Sequence, residues 1–140
     1  MHFFSSKFKI GILGGGQLGK MLLFDSKRYD LHTKVMDPNK NAPCNNIADE
    51  FIVGNLNDYN DVINFGKLVD IITIEIENVN TDALEYLEKI GKKVFPPSRA
   101  IKIIQNKCEQ KAFYKSNNLP TSAFINLSLI HISEPTRPVP

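Results

Sequence analysis

Two short stretches hold most of the residues able to do chemistry. In "GILGGGQLGK", Gly14, Gly16 and Gly19 satisfy G-x-G-x-x-G, with Gly15 between the first two. Glycines there allow close backbone approach, and the free N–H groups of a helix start attract phosphate. Asp37 stands at about the distance where a ribose-binding acid would follow such a loop. Three readings stay open on these residues: a dinucleotide site, a site for another phosphate-bearing ligand, or a tight strand-to-helix corner without a ligand. The second stretch is "DIITIEIENVN", in which alternation puts Ile72, Ile74 and Ile76 on one face and Thr73, Glu75 and Glu77 on the other. Two carboxylates on one face of a parallel strand require that face to meet water, a cleft or polar partners. Glu77 and Asn78 fall at the strand's carboxyl end, the edge where open α/β sheets bind ligands.

Other reactive groups are scattered. His2, His32 and His131 are isolated, and Cys44 and Cys108 lie outside any C-x-x-C pattern. Neither a nucleophilic triad nor a metal-ligand set is visible, so no catalytic residue and no metal ligand is assigned.

The elements that must position these residues follow the order strand, helix, strand, strand, helix. "FKIGILGGG" reads as a buried strand entering the glycine turn, and a helix is predicted from about Gln17 to Tyr29, with Leu18, Met21 and Leu22 at helical spacing. "HTKVMDPN" is a strand ended by Asp37-Pro38, "DEFIVGN" a third, and "DYNDVINFGKLV" a helix burying Val62, Ile63 and Phe65. After the Ile72 strand come a helix stopped at Gly91, a strand "KKVFPP", and a single long helix N-capped by Ser98 and running to the asparagines before Leu119-Pro120. Ile101, Ile104, Cys108 and Ala112 form its apolar stripe, and "TSAFINLS" is expected to begin another strand. This is the opening of an α/β parallel sheet.

The chain has 140 residues, with 17 basic against 15 acidic side chains and 42% apolar content. That is enough for one domain, and a net charge of +2 leaves no electrostatic footprint for nucleic acid or an anionic membrane. The start lacks a signal-peptide core and no apolar run is long enough to cross a bilayer, so a cytoplasmic location is expected.

Five blocks in order, "GGGQLGKM", "MDPNKNAPC", "ADEFIVGNLNDY", "EIENVNTDALEYLE" and "VFPPSRAIKIIQNKCEQKAFYKSNNLPT", resemble the N-terminal part of the 5-(carboxyamino)imidazole ribonucleotide synthases, ATP-grasp ligases of purine biosynthesis. The likeness runs from about Phe8 to Ser128 and covers about the first third of a family member. It implies a Rossmann-like pre-ATP-grasp α/β domain over 1–97, followed by the start of an ATP-grasp domain, its linker helix and first strand, over 98–128. The proline-rich end, 129–140, fits neither and is expected to be a non-native tail on a truncated chain.

What the resemblance implies is ATP-dependent carboxylation of the amine of 5-aminoimidazole ribonucleotide with bicarbonate, through carboxyphosphate, releasing ADP and phosphate. ATP and Mg2+ would be the cofactors and a homodimer the assembly. Gly16, Gln17 and Leu18 would face the nucleotide substrate, on a phosphate-friendly loop of Gly14, Gly15, Gly16 and Gly19. "EIEN" matches the family's "EFEN", which makes Glu77, with Asn78 beside it, the substrate contact, while Glu75 is expected to be structural. Lys107 falls where many members place an ATP-contacting arginine, retaining the charge without the planar fork. The remaining ATP and magnesium ligands would lie beyond Ser128, so the chain alone is expected to be inactive. A nicotinamide-binding oxidoreductase domain and a non-catalytic interaction module are the competing expectations.

Overall fold

The computed structural model describes residues 7–123. Strand β1 (Lys9–Leu13) enters the glycine loop and helix α1 (Gln17–Arg28), followed by β2 (His32–Asp37), β3 (Glu50–Val53), α2 (Tyr59–Lys67) and β4 (Ile71–Ile74). Helix α3 (Thr81–Lys89), β5 (Lys93–Phe95), α4 (Ser98–Gln105) and α5 (Lys107–Ser116) complete the described chain. The five strands form one sheet, ordered β3-β2-β1-β4-β5, with every pairing parallel. The α/β expectation holds.

The sheet is apolar on both sides because helices cover both. Successive residues of a strand point to opposite faces, and the core divides accordingly. Ile12 and Val35 pack with Leu23 of α1 and with Cys44. Their neighbours Leu13 and Met36 join Ile72, Phe65, Leu84, Leu87 and Ile101 on the other side. Lys34 is the buried charged side chain among the described residues, and it pairs with Glu50, its register partner on β3. An unpaired ammonium there would be strongly penalised.

Three features depart from the sequence reading. Strand β4 ends at Ile74; the Glu75 amide makes a last ladder bond to the Leu13 carbonyl at 2.8 Å, and the chain then bends. The alternation therefore stops, and Ile76 is exposed. The single long helix is two helices, because Asn106 adopts φ −101°, ψ 103° and its side chain accepts the amides of Cys108 and Glu109 at 3.0 and 3.3 Å. A short amide side chain that satisfies the backbone locally competes with helix continuation. Ser98 is not the cap: Pro97 holds that position, and the Ser98 amide and hydroxyl donate to the Glu88 carboxylate at 2.8 and 2.6 Å. The helix predicted on the spacing of Leu18, Met21 and Leu22 holds as α1, in which these three are exposed and Gly19, Leu23 and Ser26 are buried. The strand expected from "TSAFINLS" and the 129–140 tail lie outside the described residues.

At the amino edge of the sheet, Asp49 ties the end of α1 to β2. Its carboxylate accepts the Thr33 amide at 2.7 Å and the Thr33 hydroxyl at 2.9 Å, and pairs with Lys27. Partial burial pushes this carboxyl up, but the hydrogen bonds from Lys27 and Thr33 outweigh it and hold it down at about 2. A depressed folded-state value contributes stability above the unfolded value, and that stability is lost as pH falls through the folded one. Urea denaturation of Asp49→Asn should show a loss of about 1–2 kcal/mol at pH 7, discounted for the pair's partial exposure. The variant should also lose less stability than the parent between about pH 4 and pH 2. Parallel curves for the two proteins over that interval would contradict the assignment.

Candidate functional site

Order β3-β2-β1-β4-β5 reverses direction at β1, so the chain leaves β1 and β4 toward opposite faces of the sheet. Carboxyl ends at such a reversal bound a crevice. The glycine loop and α1 leave from one lip, and Glu75 to Asn80 leave from the other.

The loop has an inner and an outer part. Gly14, Gly15 and Gly19 are buried, Gly16 is half-buried, and Gln17 and Leu18 are exposed. The inner amides are already engaged: Gly14 donates to the Met36 carbonyl at 2.9 Å and Gly15 to the Asp37 carboxylate at 2.7 Å. Gly14 sits at φ +100°, a conformation that glycine alone adopts freely. A methyl group at Gly16 would stand 2.5 Å from a Glu75 carboxylate oxygen, so any side chain there would have to push the Glu75 carboxylate aside. No side chain caps α1. The first amides of a helix have no acceptor within it, which leaves Gln17 and Leu18 as donors at the exposed rim.

The opposite lip is held by residues that sequence reading missed. Gln105, the last residue of α4, donates through Nε2 to the Glu77 carbonyl at 2.7 Å and the Val79 carbonyl at 2.8 Å. Asn80 donates its amide to the Leu56 carbonyl at 2.8 Å and caps α3 by accepting the Ala83 amide at 2.9 Å. Glu77 and Asn78 are exposed on this braced turn. Glu75 is the carboxylate packed against Gly14, Gly16 and Gly19. Sequence spacing carried no signal for Gln105, whose partners lie 28 and 26 residues away.

Lys107 is the first residue of α5 and is exposed. Directly before it, Asn106 also donates to Glu109 at 3.0 Å. Among the described residues no three His, Cys, Asp or Glu side chains converge as a metal site. No helix among the described residues is long and apolar enough to cross a membrane.

Residues 7–105 match the family described as "Ribonucleotide synthetase preATP-grasp domain". This chain belongs to that family. It is 39% identical over 118 residues to N5-carboxyaminoimidazole ribonucleotide synthase of Saccharolobus solfataricus, covering 84% of this chain and 31% of the relative. Among solved structures, N5-carboxyaminoimidazole ribonucleotide synthetase of Thermotoga maritima superposes with a TM-score of 0.76 at 37% identity, over 81% of this chain and 31% of that one. The Aspergillus clavatus N5-carboxyaminoimidazole synthase, solved with ADP and 5-aminoimidazole ribonucleotide, gives a TM-score of 0.76 at 34% identity, over 85% of this chain and 32% of that one. The chain spans between 21% and 34% of the length of the curated relatives it matches. The Rossmann-like pre-ATP-grasp assignment is thereby established.

Cys44 lies behind the glycine loop in this family member. Its thiol faces the Gly16 carbonyl at 3.6 Å, and it is fully buried. Burial, then the carboxylates of Glu75 and Asp37, push the thiol up to about 11. Such a thiol has almost no thiolate at neutral pH and reacts slowly. In the folded chain at pH 8, iodoacetamide should modify Cys108, which is partly exposed, at least about tenfold faster than Cys44. Equal rates in the native protein would contradict this geometry, whereas equal rates in urea are expected.

Proposed function

We propose that this chain forms the nucleotide-substrate wall of a ligase that carboxylates 5-aminoimidazole ribonucleotide with ATP and bicarbonate. The observation that carries the reading is the pairing of lips at the β1/β4 reversal. The Gln17 and Leu18 amides stand on one side and the braced Glu77-Asn78 turn on the other, in a chain of the ribonucleotide synthetase family. A substrate phosphate would take the Gln17 and Leu18 amides, where the helix dipole favours an anion. The Glu77 carboxylate would accept from the substrate's exocyclic amine and orient its lone pair for attack, with Asn78 as a neutral neighbour. Gly14, Gly15, Gly16 and Gly19 serve by letting the loop pack closely, and Lys107 would attract the phosphates of ATP from the α5 side. In the whole enzyme, ATP with Mg2+ supplies the activation of bicarbonate, because an unactivated bicarbonate oxygen is a poor leaving group. The same reading carries a homodimer and a cytoplasmic location for that enzyme.

The dinucleotide alternative is not favoured by the geometry. Both oxygens of Asp37 are taken, one by the Gly15 amide and the other by the Asn39 amide, each at 2.7 Å. A ribose diol would have to share these oxygens with the two amides through their remaining lone pairs. The interaction-module alternative rested on an exposed apolar stripe along one long helix, but that helix is two: Ile101 of α4 is buried in the core, whereas Cys108 and Ala112 of α5 are not buried.

Calorimetric titration of this chain with 5-aminoimidazole ribonucleotide should show saturable binding, weakened about tenfold, or about 1.4 kcal/mol, in Glu77→Ala. NADH should give no heat at the same concentrations, and the chain should release no ADP from ATP and bicarbonate when the ribonucleotide is added. Binding of NADH without binding of the ribonucleotide would overturn the reading.

A further inference from the structure

The segment between β2 and β3 closes over the buried half of the glycine loop. Asp37 accepts the Gly15 amide at 2.7 Å, while the Cys44 amide donates to the Gly15 carbonyl at 3.0 Å. Both backbone groups of Gly15 are thus held by one connection. The Cys44 thiol lies 3.6 Å from the Gly16 carbonyl, so contact continues one residue further along the loop. A methyl group built at Gly15 would stand 3.1 Å from Ala42 and 3.1 Å from Asp37, and one at Gly19 would stand 3.1 Å from the Cys44 sulfur. The connection itself is wound by Asp37 accepting Asn39 at 2.7 Å and by Asn39 accepting Asn41 at 2.9 Å. Asp37 therefore joins two turns, the glycine loop through one oxygen and its own connection through the other.

We infer that Asp37 is a positioning residue for the substrate loop: by fixing Gly15 it presents the Gln17 and Leu18 amides to one phosphate group and closes the inner amides to a second. This rests on the proposed nucleotide site for its ligand, although the clamp itself is a property of the free chain. Two backbone N–H groups converge on Asp37, and only a carboxylate offers each of them an oxygen. An asparagine would have to turn its NH2 group toward one of those donors. It would therefore release either Gly15 or Asn39, although its size is the same.

The test is Asp37→Asn, read by amide hydrogen exchange and by titration. In the ligand-free chain, exchange at Gly15 should quicken about tenfold or more relative to the sheet amides of Ile12 and Val35, since loss of one hydrogen bond to a charged acceptor opens the site by that order. The Gln17 and Leu18 resonances should shift as well. Titration with 5-aminoimidazole ribonucleotide should then give an affinity at least about fivefold weaker, after global stability has been matched by urea titration. Should Asp37→Asn fold poorly, Cys44→Ala provides the second variant. It leaves Asp37 in place and should move the Gly16 resonance while keeping Gly15 slow to exchange. Unchanged exchange at Gly15 in Asp37→Asn would overturn the inference, as would unchanged ribonucleotide affinity alongside altered exchange. If the parent chain binds no ribonucleotide, the proposed substrate fails; faster exchange at Gly15 together with shifted Gln17 and Leu18 amides would still support the clamp.

Discussion

One backbone rung determines where this molecule can meet a ligand. The Glu75 amide donates to the Leu13 carbonyl at 2.8 Å, the last bond between β1 and β4. Beyond it the two chains separate, one into α1 and the other into the turn before α3. Parallel strands whose connections leave to opposite faces must open a crevice at their carboxyl ends. Register matters here because a slip of one residue moves a side chain to the other face of a sheet. Glu75 would then leave the glycine loop, and the Glu77-Asn78 turn would no longer face the start of α1.

The glycine loop illustrates how one pattern can build two different surfaces. Glycines in G-x-G-x-x-G are associated with a backbone laid open to a pyrophosphate. Here the space beside them is filled from within: Asp37 and Ala42 lie against Gly15, Glu75 against Gly14 and Gly16, and Cys44 against Gly19. Two carboxylates beside the inner loop make it a poor place for an anion, so the electropositive part is confined to the first turn of α1. Packing therefore limits the ligand as much as hydrogen bonding does.

Most of the fold was legible because the burial pattern is simple. Ile12 and Leu13, or Val35 and Met36, face opposite helical layers, and such continuous apolar runs identify strands covered on both sides. The departure at the last predicted helix has a local cause: Asn106 divides it because its side chain can cap α5, a competition that periodicity does not register. The exposed Leu18, Met21 and Leu22 match a helical period as well as buried residues would, since spacing identifies a face without saying what covers it. The candidate site was less legible. Glu77 and Asn78 came from the strand-end argument and from family resemblance, whereas Gln105, Asp37 and Glu75 acquired their roles only when contacts distant in sequence were visible.

The central claim is that the two lips of the β1/β4 crevice act together on one nucleotide. A crystal structure of this chain soaked with 5-aminoimidazole ribonucleotide tests it most directly. The account predicts the phosphate within hydrogen-bond distance of the Gln17 and Leu18 amides and the exocyclic amine against Glu77, with the Asp37 to Gly15 bond intact. A phosphate seated between Asp37 and Gly15, or a ligand bound away from the carboxyl ends of β1 and β4, would contradict it.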